Sequence, residues 1–191
     1  MKYWKQIDIG NYEAYTPKIC KYFNIVYPTR PRPETLKNNN FWNPVPLSDV
    51  SCFFPELISS VSNYGEIKEV GIIFLNVPLG GHGTTLHIDH TFGLNNGVKA
   101  RLNIPLMNTE GSETCFYDVP KEYEYSVSPG GTIFWAPDLH LKLKPVTSVE
   151  VIKPTILRIS QPHMVRCWTN KMPRLTLTIS FKDDIVRFLD E

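Results

Sequence analysis

Arg174-Leu175-Thr176-Leu177-Thr178-Ile179-Ser180-Phe181 alternates polar and apolar residues over eight positions, the period-two pattern of a half-buried β-strand. Leu175, Leu177, Ile179 and Phe181 share one face; Arg174, Thr176, Thr178 and Ser180 share the other. A polar inner face is unusual for a core strand unless it lines a wet, functional cavity. Working outward, His163 stands eleven residues before Arg174, after a strand-like segment over 154–160 and the turn at Gln161-Pro162. The loop Thr169-Asn170-Lys171-Met172-Pro173 separates the two, so His163 and Arg174 are expected on neighbouring antiparallel strands facing one pocket.

Further upstream, Thr84-Thr85-Leu86-His87-Ile88-Asp89-His90 has no proline or glycine and is rich in β-branched residues, so a short strand is expected over 84–90. On a strand His87 and Asp89 point the same way, within reach of one ion. With 5 His and 8 Asp in the chain, an H-x-D arises by chance in roughly one such sequence in five. The motif therefore needs its context: Asp89 is followed after 74 residues by His163 and then by Arg174. Two imidazoles and one carboxylate are a facial ligand set for Fe(II) that leaves the remaining positions open. The arginine adds a fixed cation able to take an anionic group in a bidentate fork. The bland alternative is a histidine bonded to a neighbouring acid on a strand.

The bulk properties are those of one domain over 1–191, long enough to bury a core without staples. Net charge is +1 with no basic tail or cluster, which argues against duplex nucleic acid as partner. Cys20, Cys52, Cys115 and Cys167 are scattered without a C-x-x-C pair and fit free thiols of a reducing compartment. There is no signal-like apolar stretch at the N-terminus and no long apolar run, so a cytoplasmic protein without a membrane segment is expected. Residues 1–66 are proline- and aromatic-rich, an N-terminal support with helical and irregular parts. Within it a helix is expected near 55–63, opened by Pro55 and followed by Gly65. Short strands are expected over 69–77, 84–90, 100–107, 113–119, 122–127, 131–136, 154–160, 163–168 and 174–181, with a brief helix in 182–191. That spacing predicts a mainly β fold, an antiparallel jelly roll over 67–181 with flanking N-terminal helices.

With these residues on the page, the chain resembles the 2-oxoglutarate- and Fe(II)-dependent dioxygenase superfamily, in which an H-x-D precedes a distal histidine and a basic residue about ten positions on. Here these are His87, Asp89, His163 and Arg174, and Arg174-Leu175-Thr176 nearly matches the family's Arg-x-Ser. Ala100-Arg101-Leu102-Asn103-Ile104-Pro105-Leu106 looks like the corresponding strand of small aspartyl-hydroxylase-like and phage-type members. The resemblance covers roughly 67–181 and implies a double-stranded β-helix, the cupin-like form of the jelly roll. It further implies Fe(II) on His87, Asp89 and His163, with 2-oxoglutarate chelating the iron while its distal carboxylate meets Arg174 and the Thr176 hydroxyl. O₂ would be the other co-substrate, and hydroxylation of an unactivated C–H bond would release succinate and CO₂. The reading from another class is a metal-bearing cupin-like isomerase or lyase, or a non-catalytic binding module, neither of which needs Arg174 and Thr176 beside the metal.

Asn103 is a further co-substrate candidate, because asparagine is disfavoured in a strand unless it bonds something. Tyr117 and Ser180 are weaker ones. For Arg101 and Arg158 the alternatives are contact with a substrate carboxylate and an ordinary salt bridge, the latter being expected. His82, His90 and His140 are expected in loops or on the surface, with His82 able to border the substrate. Trp4, Tyr12, Tyr15, Tyr22, Phe23 and Tyr27 are expected to cover the sheet. The resemblance around Arg101–Pro105 favours a peptidyl or amino-acid-like small-molecule substrate. Residues 27–46, with Arg30 and Arg32, Gly80–Gly83 and Thr91–Lys99 are expected to shape its entrance.

Overall fold

The computed structural model describes residues 1–29, 42–76, 84–89, 98–128, 131–169 and 171–190. Strands β1 (Trp4–Gln6), β2 (Trp42–Val45), β3 (Ile67–Leu75), β4 (His87–Ile88), β5 (Arg101–Met107), β6 (Ser112–Phe116), β7 (Tyr125–Val127), β8 (Ile133–Trp135), β9 (Thr147–Glu150), β10 (Thr155–Leu157), β11 (His163–Cys167) and β12 (Arg174–Phe181) form two six-stranded sheets. The major sheet runs β1-β10-β5-β12-β3-β2 and the minor sheet β7-β8-β4-β11-β6-β9, with antiparallel pairing throughout. From β3 to β6, and again from β10 to β12, successive strands alternate between sheets. That winding is the double-stranded β-helix that the family resemblance implies, and the two-sheet form of the jelly roll expected from the strand spacing.

Both faces of the major sheet are covered, so all eight residues of β12 are buried, not only the apolar half. Leu175, Leu177, Ile179 and Phe181, with Val70, Ile72, Leu102, Ile104 and Ile156, pack against residues from α1 (Thr16–Lys21), α2 (Leu47–Phe53), α3 (Pro55–Val61) and α4 (Arg187–Asp190). These helices form for local reasons. Pro55 sits in the first turn of α3 with Glu56 beside it, and Leu57 and Val61, four apart, give it one buried stripe. In α2, Asp49 accepts a 2.6 Å bond from the Tyr22 hydroxyl, and Val50 points into the core. Tyr15, Tyr22 and Tyr27 belong to this core with Tyr12 and Phe23 against it, and Trp4 lies at the other end of the sheet on β1.

Several expectations are corrected. Of the expected strand over 84–90, only His87–Ile88 joins the sheet among the described residues 84–89, and the region before 66 supplies the edge strands β1 and β2 and helices α1 and α2 as well as the expected α3. His163 and Arg174 do not sit on neighbouring strands. β12 is flanked by β3 and β5, and β11 by β4 and β6, so neither has an edge left to pair with the other. Arg174 instead reaches the minor sheet across the sandwich, at Ser112 on β6, whose partner on β11 is Cys167. His140 is buried at Leu139–Leu141 and not in a surface loop. Arg30, Arg32, His82 and His90, with most of the expected entrance, lie outside the described residues. Among the described residues no helix is long and apolar enough to cross a membrane.

Candidate metal centre and its polar chamber

His87 and His163 face each other as direct partners in the β4–β11 pairing, their rings 4.3 Å apart between centroids. Phe134, paired with His87, and Phe116, paired with His163, brace the two imidazoles from either side at 5.9 Å. Each Nδ1 lies on the carbonyl two residues earlier in its own chain: His87 on Thr85 at 2.7 Å, His163 on Gln161 at 2.8 Å. A carbonyl only accepts, so Nδ1 carries a proton in both rings and Nε2 is the atom each ring, when neutral, offers as a ligand. Asp89 leaves the ladder, its N–H bonded to the Ile159 carbonyl, and brings Oδ1 within 3.3 Å of His87 Nε2. One ligand atom from each of the three residues falls within 4.8 Å of the others. Two neutral imidazoles and a carboxylate converging from one side fit a divalent first-row metal with open positions.

The carboxylate and the two imidazoles shift one another's titration. Burial alone pushes Asp89 up, but the His87 hydrogen bond, then the charges of His87, His163 and Arg101, hold its carboxyl well below the usual range. Burial works against a charged His87, yet the bond and charge of Asp89 and the Thr85 carbonyl together raise its pKa. His163 goes the other way, lowered to about 4 by burial and by the positive charge on His87. His163 is therefore the neutral ring near pH 7, and a further proton goes to Nε2 of His87, facing Asp89. Asp89's side chain is 26% exposed against 9% for His87, so the cluster opens to solvent on the carboxylate side.

Facing the cluster is the inner side of the major sheet, and here the polar half of β12 has its explanation. Arg174 is 2% exposed; its Nε donates to Ser112 Oγ at 2.7 Å across the sandwich, and Ser112 Oγ donates to the Thr109 carbonyl at 2.8 Å. Burial lowers the guanidinium to about 10, so it remains charged at neutral pH, and no acidic side chain among the described residues pairs with it. Thr176 Oγ1, Thr178 Oγ1, Ser180 Oγ and Asn103 Oδ1 are all buried without a hydrogen-bond partner. Such orphans are costly in a dry core and are expected where water or a polar ligand completes them. Thus Arg174, Thr176 and Asn103 line the same interior as the triad.

Other candidates lie elsewhere. Tyr117 packs outside the minor sheet with Leu86, Cys115 and Met164, and Arg158 pairs with Asp190 and the Lys2 carbonyl. Two open grooves of about 420 and 460 Å³ run along the helical side, and no triad residue lines either. The sequence did not point to Ser112, Phe116 or Phe134. Their roles come from contacts between strands far apart in the chain, and only the inward alternation of β6 could have raised Ser112.

No known family profile and no curated protein matches the chain. Solved structures do. The epimerase SnoN, in complex with Fe3+, alpha-ketoglutarate and nogalamycin RO, superposes at TM-score 0.54 over 100% of this chain and 85% of its own, at 11% identity. A second structure of SnoN, described as a non-heme alpha-ketoglutarate-dependent epimerase from nogalamycin biosynthesis, gives 0.54 over 93% and 75% at 9% identity. The non-heme monooxygenase ThoJ with nickel gives 0.49 over 93% and 72% at 9% identity. The chain shares the fold of SnoN, a double-stranded β-helix.

Proposed function

We propose that the chain is a 2-oxoglutarate- and Fe(II)-dependent oxygenase that hydroxylates an unactivated C–H bond of a small-molecule or peptidyl substrate. The observation that carries this reading is Arg174, a buried guanidinium without an acidic partner among the described residues, in the interior that holds His87, Asp89 and His163. A buried cation of this kind is strongly disfavoured unless an anion meets it. A dicarboxylate held at Arg174 by one end supplies that anion, and the Thr176 hydroxyl, beside it on the same face, donates to the same group. His87, Asp89 and His163 are the proposed Fe(II) ligands, and Asn103 a co-substrate contact from β5. Bound Fe(II), with 2-oxoglutarate and O₂, supplies oxidative decarboxylation to succinate and CO₂ together with oxygen transfer to carbon. The protein's part is to fix both imidazoles through their Nδ1 bonds so that Nε2 is the ligand atom, hold Asp89 ionised, and fix Arg174 through Ser112 before the co-substrate arrives.

Anaerobic addition of Fe(II) and then 2-oxoglutarate should produce the visible absorption band of the metal–keto acid chelate, and air should then give slow succinate formation. Arg174→Gln should retain Fe(II) and lose the band at the same 2-oxoglutarate concentration. Folded protein that binds Fe(II) but neither chelates nor consumes 2-oxoglutarate overturns the reading in favour of the isomerase, lyase or binding-module alternative. Product analysis on an accepted substrate distinguishes hydroxylation from epimerisation.

A further inference from the structure

We propose that Arg101 anchors a carboxylate of the prime substrate, on the side of the triad away from Arg174. The proposal rests on Arg174 being the co-substrate anchor. The two guanidiniums occupy opposite ends of one interior. Arg174 opens β12 and reaches Ser112, itself paired with Cys167 at the far end of β11 from His163. β5 pairs with β12 through Asn103↔Thr178 and Leu102↔Ile179, and continuing that ladder sets Arg101 beside Ser180. Six residues of strand, roughly 20 Å, therefore separate the Arg101 row from the Arg174 row. The charge of Arg101 reaches Asp89 and His163, whereas that of Arg174 is felt at Cys167.

Arg101 is also incompletely satisfied. It is 7% exposed, its Nε is buried without an acceptor, and its one acidic partner among the described residues is Glu69 at 3.3 Å. That distance is long for a charge-assisted bond, and the Glu69 side chain is 43% exposed, with water to satisfy it. The guanidinium lies over the Trp42 ring at 4.8 Å, and Trp42 in turn fills the space above Gly71, where any Cβ would come within 2.4 Å of the ring. The fork is thus held flat from one side while its donors stay available. Ser180 Oγ, on the residue that pairs with Glu69, is a further buried hydroxyl without a partner. A planar carboxylate accepts from Nε and one Nη in a fork and from Ser180, and the rest of such a substrate extends towards the triad.

The test uses ¹⁵N-labelled protein with Zn(II) in place of iron, saturated with 2-oxoglutarate, and follows arginine Nε–H resonances, that of Arg101 identified by its loss in Arg101→Lys. Acetate is the probe and acetamide its neutral match. Acetate should move the Arg101 resonance saturably while acetamide leaves it in place, and 2-oxoglutarate alone should move Arg174. Glu69→Gln should tighten acetate, and Arg101→Gln should weaken it about tenfold or more. An Arg101 resonance that acetate leaves unmoved, or moves no differently from acetamide, overturns the proposal. A shift of Arg101 by 2-oxoglutarate itself also overturns it, by exchanging the two arginines' roles. If 2-oxoglutarate moves neither arginine, the oxygenase reading fails, and an acetate titration of metal-free protein still decides whether Arg101 is an anion anchor.

Discussion

The two sheets differ in regularity. In the major sheet, β3 and β12 pair along nearly their whole length, nine and eight residues, over a continuous apolar core. In the minor sheet, the strand that carries His87 is two residues long, and Asp89 is held by a single backbone bond outside the ladder. The long sheet is a wall whose inner face offers polar groups at fixed intervals. The short one lets three side chains converge on a point, which a straight ladder with its regular spacing does not. Stability and metal chemistry are therefore largely assigned to different sheets, and substitutions should separate them.

The largest effect is expected on the minor sheet. His163→Ala should reduce metal affinity beyond the roughly 10–100-fold that losing an outer-shell partner costs, while far-UV circular dichroism stays unchanged. Metal retained by this variant in equilibrium dialysis breaks the comparison, because the triad would then not be the site. Next comes the wall. Leu177 is fully buried beneath the helices, so Leu177→Ala should lower unfolding free energy by about 2–5 kcal/mol in urea titration and leave metal affinity nearly unchanged. A simultaneous loss of metal would mean that the sheets are coupled, not divided.

The alternation of 174–181 and the H-x-D with its distal histidine made the fold class and the convergent side chains legible, because both follow from period-two geometry and from the chemistry of single residues. Pairing partners were not legible in the same way. The eleven-residue spacing of His163 and Arg174 suits a hairpin or a crossing between sheets equally, and only the filled edges of β11 and β12 decide. Trp42-Asn43-Pro44-Val45 carries a proline, which hid an edge strand where proline is tolerated. Ser112 has no signal of its own; its importance is a single bond to a residue 62 positions away.

That bond gives a smaller, sharper test. Ser112→Ala removes the acceptor of Arg174 Nε and should weaken 2-oxoglutarate about tenfold without affecting Fe(II), as measured by calorimetry on metal-loaded protein. An equal loss of Fe(II) would show that the inner face of the wall also shapes the triad. Acidity probes the minor sheet by itself. His87 has a raised pKa in the metal-free protein, so metal must displace its proton. Apparent Fe(II) affinity should fall about tenfold per pH unit below that pKa and level off above it, where the ring is already neutral. Asp89 is held ionised well below this window and adds no slope. An affinity flat from acid to neutral pH would remove His87 from the ligand set.

The smallest effect should come from the neighbour of Leu177 on the opposite face. Thr178 Oγ1 is buried without a partner, so Thr178→Val exchanges an unsatisfied hydroxyl for a methyl group of nearly the same size. In a core that used the hydroxyl, the exchange would leave its partner stranded and cost about 1–3 kcal/mol. In a chamber where water meets the hydroxyl only until a ligand arrives, it should change unfolding free energy by less than about 1 kcal/mol in either direction. Set beside the loss at Leu177, one position away on the same strand, this contrast measures how far the inner face is a binding surface and not a core. A Thr178→Val penalty approaching that of Leu177→Ala in the same urea titration would mean the inner face is packed as tightly as the outer, leaving no room for a co-substrate between Arg174 and the triad.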